Sequence, residues 1–185
     1  MVDVLVLVLI WLVTSEGYLV FKKRSKRSVT KEKQDRYSLL GLWIIITVSI
    51  TSSVYWAANH SFQPKPTTVI LGLVLVVAGS TIRWLSIKQL KEAFTVDLSI
   101  KAQHKLSTSG MYKWIRHPSY AGLILYLVGI GVILNNLIAM VIILIVPSLA
   151  IGLRINLEEG MMIKEFKDEY RKYQLRSKKI IPFVY

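Results

Sequence analysis

The chain has 185 residues, 53% of them hydrophobic, a formal net charge of +13 and no cysteine. Its mean hydropathy of +0.47 is too high for an ordinary soluble domain and points to a membrane protein. The absence of cysteine excludes disulfides, thiolate zinc sites, iron–sulfur clusters and a cysteine nucleophile.

Residues 4–21 form the first apolar segment, with no positive stretch before it and no cleavage signal. It reads as a retained membrane helix rather than a signal peptide. Its second half carries Thr14, Ser15, Glu16 and Gly17. An ionisable group at membrane depth is a functional candidate, so Glu16 is expected either near the interface or facing the bundle interior. Residues 22–36, KKRSKRSVTKEKQDR, hold eight basic and two acidic residues. Directly after a membrane helix, this run reads as a cytoplasmic loop facing anionic lipid, not as a nucleic-acid patch.

Residues 39–57 form the second membrane helix, with Trp43, Tyr55 and Trp56 as interfacial aromatics, and a short loop with His60 and Lys65 follows. Residues 67–90 form the third, in which Gly72 and Gly79 let a neighbouring helix approach closely. Arg83 lies in its last third and is expected to snorkel to the basic side, with a polar cavity as the alternative. Residues 91–115 are amphiphilic and hold Glu92, Asp97, Lys101, His104, Lys105 and Tyr112, with a turn signal at STSG, 107–110.

Residues 110–122, GMYKWIRHPSYAG, gather Arg116, His117 and three aromatics around a proline. Pro118 disfavours helix at His117 and suits the first turn of a following helix, which therefore begins there. Free N–H groups of that turn offer a site for an anionic group. A positive, aromatic interface anchor is the plainer reading. Residues 118–134 and 137–153 form the fourth and fifth apolar segments, a hairpin joined at Asn135-Asn136, with Pro147 expected to kink the fifth. In residues 154–173 acidic and basic residues alternate, and Phe166, Tyr170 and Tyr173 share one helix face. This stretch reads as an amphipathic helix lying on the membrane or closing a site.

Of the 24 Lys and Arg residues, all but Lys65 and Arg83 fall within 22–36, 88–116 or 154–179. Five crossings put those three regions on one side, the cytoplasmic one, with the N-terminus outside and the C-terminus inside. The expected fold is an all-α integral membrane protein of five transmembrane helices, the last two a hairpin, plus a cytoplasmic amphipathic C-terminal helix. Residues 1–90 carry the first three helices and 91–185 the catalytic region, within one structural unit. The hairpin should bring Arg116 and Arg154 close together, and Arg154 and Glu158, four apart, share a helix face. No GxSxG, HExxH, Walker or GxGxxG motif is present.

Arg116-His117-Pro118-Ser119-Tyr120-Ala121-Gly122 resembles the RHPxYxG signature of the isoprenylcysteine carboxyl methyltransferase family and its phospholipid methyltransferase relatives. The hairpin, Arg154, Glu158-Glu159, Phe166, Tyr170, Tyr173 and a late proline follow in the same order, and His104 and Gly110-x-Tyr112 fit upstream. The resemblance spans residues 97–182. It implies S-adenosylmethionine as methyl donor, bound on the cytoplasmic side by Asp97, His104, Lys105, Leu106, Ser107, Tyr112, His117, Pro118, Ser119, Tyr120 and Glu158. It implies Arg154 as the catalytic, substrate-carboxylate residue, with no metal. The acceptor it implies is a prenylated cysteine or prenylated protein C-terminus presented at the bilayer. A lipid amine acceptor, as in phospholipid N-methyltransferases, is the alternative. Sterol reductases, which use a nicotinamide cofactor, carry a similar RHPxY stretch. The short N-terminal part points to a prokaryotic member in the cell membrane; a eukaryotic source would place it in the endoplasmic reticulum. The chain departs from the pattern at Met162, where leucine is common, and at Lys167, where glycine is usual.

Overall fold

The computed structural model describes residues 2–23, 33–60, 63–90 and 106–181. These form five α-helices: α1 (Val2–Lys23), α2 (Lys33–Asn59), α3 (Pro66–Leu90), α4 (Pro118–Leu134) and α5 (Leu137–Arg176). A 3₁₀ turn, Gly110–Lys113, precedes α4. Among the described residues the only extended pairing is an isolated parallel bridge between Ile115 and Lys178.

The ends of α4 follow from local chemistry. Pro118 occupies the first turn, where a missing N–H costs nothing, and His117 ahead of it is non-helical at φ −124°, ψ 56°. Asn135 closes the helix in the left-handed region at φ 48°, ψ 36°, which asparagine tolerates. Asn136 then caps α5 by accepting from the Ala139 N–H at 3.0 Å. The two asparagine amides also donate to the Gln63 and His60 carbonyls, tying the hairpin to the α2–α3 loop.

The α3–α4 contact is backbone on backbone. A Cβ added to Gly79 would lie 2.6 Å from the Gly122 carbonyl oxygen, and one on Gly129 would lie 2.7 Å from that of Gly72. The small residues of α3 thus do what their pattern predicts, and glycines of α4 answer them. Leu127, Ile130, Ile133, Ile143 and Ile151 are fully buried behind this contact. Helix α2 packs on α5. Helix α1 is held by Tyr126, whose hydroxyl donates to the Val8 carbonyl at 2.6 Å, and by Trp11 Nε1 donating to Ser80 Oγ at 3.3 Å.

Helices α2, α3 and α5 are long and apolar enough to cross a membrane; the apolar stretches of α1 and α4 are shorter. Two expectations need correction. The fifth helix does not give way to a separate C-terminal helix at Arg154. One helix passes both Pro147 and Arg154, and its geometry first breaks at Lys167, φ 47° and ψ −120°. The change of composition at Arg154 marks a change of surroundings, while Leu, Glu, Met and Lys there keep the backbone helical. Arg83 does not snorkel outward. It is buried at 8% exposure because Glu16 meets it at the same depth from α1.

Candidate functional site

The site forms where α4 starts and the apolar part of α5 ends. Glu158 and Glu159 leave α5 one turn after Arg154 and meet Arg116, His117 and Tyr120 from the other arm of the hairpin. Arg116 Nε donates to Glu159 Oε1 at 2.7 Å. His117 sits between the two carboxylates, with Nε2 3.2 Å from Glu159 Oε1 and Nδ1 3.4 Å from Glu158 Oε2. The Tyr120 hydroxyl donates to Glu158 and accepts from Arg154 Nε at 2.8 Å. Arg154 is 2% exposed, lies 3.4 Å from Glu158 and donates from Nη1 to Ser38 Oγ at 3.1 Å. Arg116 and Arg154, 38 positions apart, therefore join one network through adjacent glutamates.

The C-terminal segment holds the motif from the other side. The Arg116 and His117 N–H groups donate to the Lys178 and Lys179 carbonyls at 2.7 and 3.0 Å. Lys178 N–H returns a bond to the Trp114 carbonyl at 3.0 Å. Arg116 Nη1 also donates to the Ser177 carbonyl, and Gln174 donates to Glu159 Oε2 at 3.1 Å. Tyr173 donates to the Tyr112 carbonyl at 2.5 Å and meets Tyr170 edge-to-face at 5.9 Å. The aromatic face of the C-terminal stretch thus closes on the site.

Electrostatics follow from these contacts. Burial opposes charging of His117, but hydrogen bonds to Glu158 and Glu159 outweigh it and hold its pKa above the ordinary histidine value. Burial likewise opposes ionisation of Glu159, yet hydrogen bonds from His117 and Arg116 hold its carboxyl down to about 2. Glu158 is also held below its ordinary value: burial resists, and His117, Arg154 and Tyr120 prevail.

Of the residues expected at a cofactor site, His117, Tyr120 and Glu158 join one network with Arg154, Pro118 lies between the first two, and Ser119 instead accepts from Arg83 of α3. Tyr112 lies beneath them, 6% exposed, its hydroxyl donating to the Ser86 carbonyl at 3.3 Å. Leu106 and Ser107 are half-buried in the segment leading to the 3₁₀ turn. Among the described residues neither hydrogen-bonds to the cluster. Asp97, His104 and Lys105 lie outside the described residues. The first turn of α4 is less open to an anion than expected, because the Tyr120 and Ala121 N–H groups both bond the His117 carbonyl at 3.1 Å. Sequence reasoning missed Ser38, Gln174, Ser177 and the use of Glu159. Only Glu159 carried a signal, its place beside Glu158.

The donor set fits S-adenosylmethionine. The Glu158 side chain is 20% exposed against 9% for His117, 8% for Glu159, 7% for Arg116 and 2% for Arg154, making it the most exposed charged group of the network and the one best placed to accept from a hydroxyl or ammonium donor. Tyr120 presents an aromatic ring beside it, compatible with a sulfonium or an adenine.

The sequence model of the isoprenylcysteine carboxyl methyltransferase (ICMT) family matches residues 70–164. A probable protein-S-isoprenylcysteine O-methyltransferase of Oryza sativa subsp. indica is 34% identical over 116 residues, 62% of this chain and 61% of that protein. The Saccharomyces cerevisiae protein-S-isoprenylcysteine O-methyltransferase is 32% identical over 128 residues, 68% of this chain and 53% of that one. The Xenopus laevis enzyme of the same name is 30% identical over 174 residues, 90% and 59%. The chain thus spans about half to three fifths of the length of these relatives. The solved structure of the eukaryotic intramembrane Ras methyltransferase ICMT superposes with a TM-score of 0.59 at 24% identity, over 84% of this chain and 55% of that one, a likeness of fold.

Proposed function

The chain belongs to the isoprenylcysteine carboxyl methyltransferase family, and from that premise we propose that it transfers a methyl group from S-adenosylmethionine to the C-terminal carboxylate of a prenylated cysteine. The observation that carries this reading is the Arg154 guanidinium: buried, oriented by Tyr120 and Ser38, and one turn from Glu158. A guanidinium held in this way is a charge-assisted donor suited to a carboxylate.

The bound cofactor supplies an electrophilic methyl group on a sulfonium. His117, Ser119, Tyr120 and Glu158 would hold it, with Glu158 the acceptor for a ribose hydroxyl or the amino group. Tyr112, Leu106 and Ser107 are assigned to the same binding role, and Asp97, His104 and Lys105 are assigned to it from the sequence alone. The acceptor carboxylate is already ionised at neutral pH, so it attacks without a general base. S-adenosylmethionine bound there would supply the methyl group and depart as a neutral thioether, which balances the ester formed on the acceptor carboxylate. What the protein contributes is alignment by Arg154 and a water-poor site.

Five crossings, with the N-terminus outside and the basic regions cytoplasmic, agree with the charge distribution. In this arrangement residues 1–90 supply membrane helices and 91–185 the catalytic region of one unit. The prenyl chain enters sideways from the bilayer and the cofactor from the cytoplasm.

The test is label transfer from methyl-labelled S-adenosylmethionine to a farnesylated cysteine with a blocked amine, using purified protein in detergent. A base-labile methyl ester is the expected product. Cofactor binding without that ester, but with transfer to a lipid amine, would move the acceptor class. No cofactor binding at all refutes the proposal.

A further inference from the structure

One buried ion pair has no part in the reaction as proposed. Glu16 of α1 and Arg83 of α3 are 5% and 8% exposed. Arg83 donates from Nε and Nη2 to the two oxygens of Glu16, the second at 2.6 Å. Its remaining nitrogen, Nη1, donates to Ser119 Oγ at 2.9 Å and to the Ser119 carbonyl at 3.2 Å. Two charges withdrawn from water among apolar helices recover their desolvation only with good geometry, and an apolar pair of similar volume often serves stability as well. Holding α1 to α3 is therefore a weak reason for this pair, and the arm reaching Ser119 supplies a better one.

Ser119 is the second residue of α4, in the turn that lacks preceding helical partners. The next residue is Tyr120, whose hydroxyl links Arg154 to Glu158. Arg83 itself cannot drift along α4. A Cβ on Gly122 would lie 2.7 Å from the Arg83 backbone nitrogen, so the two helices touch at that level. A fixed cation thus grips the loosest turn of α4, immediately beside the side chain that aims Arg154.

We infer that Arg83, oriented by Glu16, is a positioning residue: it sets the first turn of α4 and, through Ser119 and Tyr120, the direction in which Arg154 meets its carboxylate. The inference rests on the methyl transfer proposed above and adds α1 and α3 to the machinery that aligns it.

Two variants separate positioning from packing. Glu16→Leu/Arg83→Met replaces the pair with apolar groups of similar length. Arg83→Lys keeps the charge opposite Glu16 but loses the fork that reaches Ser119. Both are expected to unfold within about 4 °C of the wild type in detergent. In both, kcat for a prenylated cysteine should fall between about tenfold and a hundredfold, as expected for a reacting group displaced by up to an ångström. KM should change little, because burial of the prenyl chain supplies most of the binding. A readout independent of turnover is the Nε–H resonance of Arg154 in ¹⁵N-arginine-labelled protein, assigned through Arg154→Lys, which should move by more than its linewidth in both variants. Wild-type kcat with an unmoved Arg154 resonance overturns the inference and leaves the pair as a clamp. Should the apolar double variant fail to fold, Arg83→Lys carries the decision alone. Wild-type protein that transfers no methyl to the cysteine refutes the proposed reaction, and the Arg154 resonance then decides the positioning claim by itself.

Discussion

Lys167 offers a perturbation that isolates the backbone. It stands at φ 47°, ψ −120°, a conformation open to glycine and costly for any residue with a Cβ. Its side chain is exposed, so removing it sacrifices little packing. A non-glycine residue held in such a region costs about 1–3 kcal/mol. Glycine offsets part of that gain through the greater freedom of the unfolded chain, about 0.5–1 kcal/mol. Lys167→Gly should therefore stabilise the protein by about 1 kcal/mol net and by at most about 2.5 kcal/mol. In a chain of this size that raises the unfolding midpoint by about 2–4 °C, and by at most about 10 °C. The assay is tryptophan fluorescence during heating in detergent, with all variants at one scan rate. Lys167→Ala is the control, since alanine keeps the Cβ and should unfold near the wild type. An alanine variant as stable as the glycine variant, or more so, would mean an unbroken helix through residue 167 and would refute the reasoning.

Arg154→Ala should lower kcat/KM for a prenylated cysteine by about a hundredfold, the worth of one charge-assisted grip on a carboxylate, with the fold retained by circular dichroism. Near-normal turnover would remove Arg154 from the mechanism. Gly79→Ala should destabilise by about 1–3 kcal/mol, because its Cβ would meet backbone atoms of Gly122 and Tyr126 at 2.6 Å. Gly41→Ala, with nothing within 4 Å, should instead stabilise slightly, and heating both variants side by side checks the contrast. The raised His117 pKa predicts a stabilisation fully present below about pH 6.5 and lost as pH rises through the native value, so the midpoint gap between wild type and His117→Gln should shrink from pH 6 to pH 9. A gap that does not change with pH would show that folding leaves the imidazole's pKa unshifted, and one that grows as pH rises would show a native imidazole held neutral. Glu159→Gln should cost about 3–5 kcal/mol by leaving the buried Arg116 without its counter-charge and should act mainly on the midpoint, whereas Glu158→Gln, which removes the carboxylate facing Arg154 and His117, should lower the midpoint and also cut transfer about tenfold. Parallel midpoint and turnover measurements distinguish the two.

The parts legible in the sequence are those fixed by neighbours along the chain. Pro118 and the asparagine pair bounded α4 because each acts on its own backbone. Gly72 and Gly79 announced a close helix contact because only small residues permit one. Long-range polar pairs carry no such local signal. Arg83 sits 67 positions from Glu16, and Arg154 sits 116 from Ser38. An arginine near a helix end looks the same in sequence whether water or a partner awaits it. Helix α5 failed for the opposite reason. A sharp change in composition at Arg154 suggested a boundary, but helix propensity is indifferent to whether lipid or water surrounds the turn. Lys167 was visible only as a departure from the glycine usual in the family, and the positive φ explains why glycine suits that position.

The two adjacent glutamates divide the work of the site. Glu159 is 6% exposed and takes bonds from Arg116, His117 and Gln174, so its lone pairs are spent on holding the motif to the C-terminal segment. Glu158 is the more open of the two and shares its bonds with Tyr120, His117 and Arg154, the groups that converge on the reaction side. On the proposed reaction, one turn of helix thus places a carboxylate that holds the motif beside one that faces the cofactor. Any movement of the C-terminal segment reaches His117 through Glu159, and any movement of the first turn of α4 reaches Arg154 through Tyr120. Alignment is the catalytic resource when the nucleophile needs no base, so a site built this way depends on helix placement more than on any single side chain's acidity.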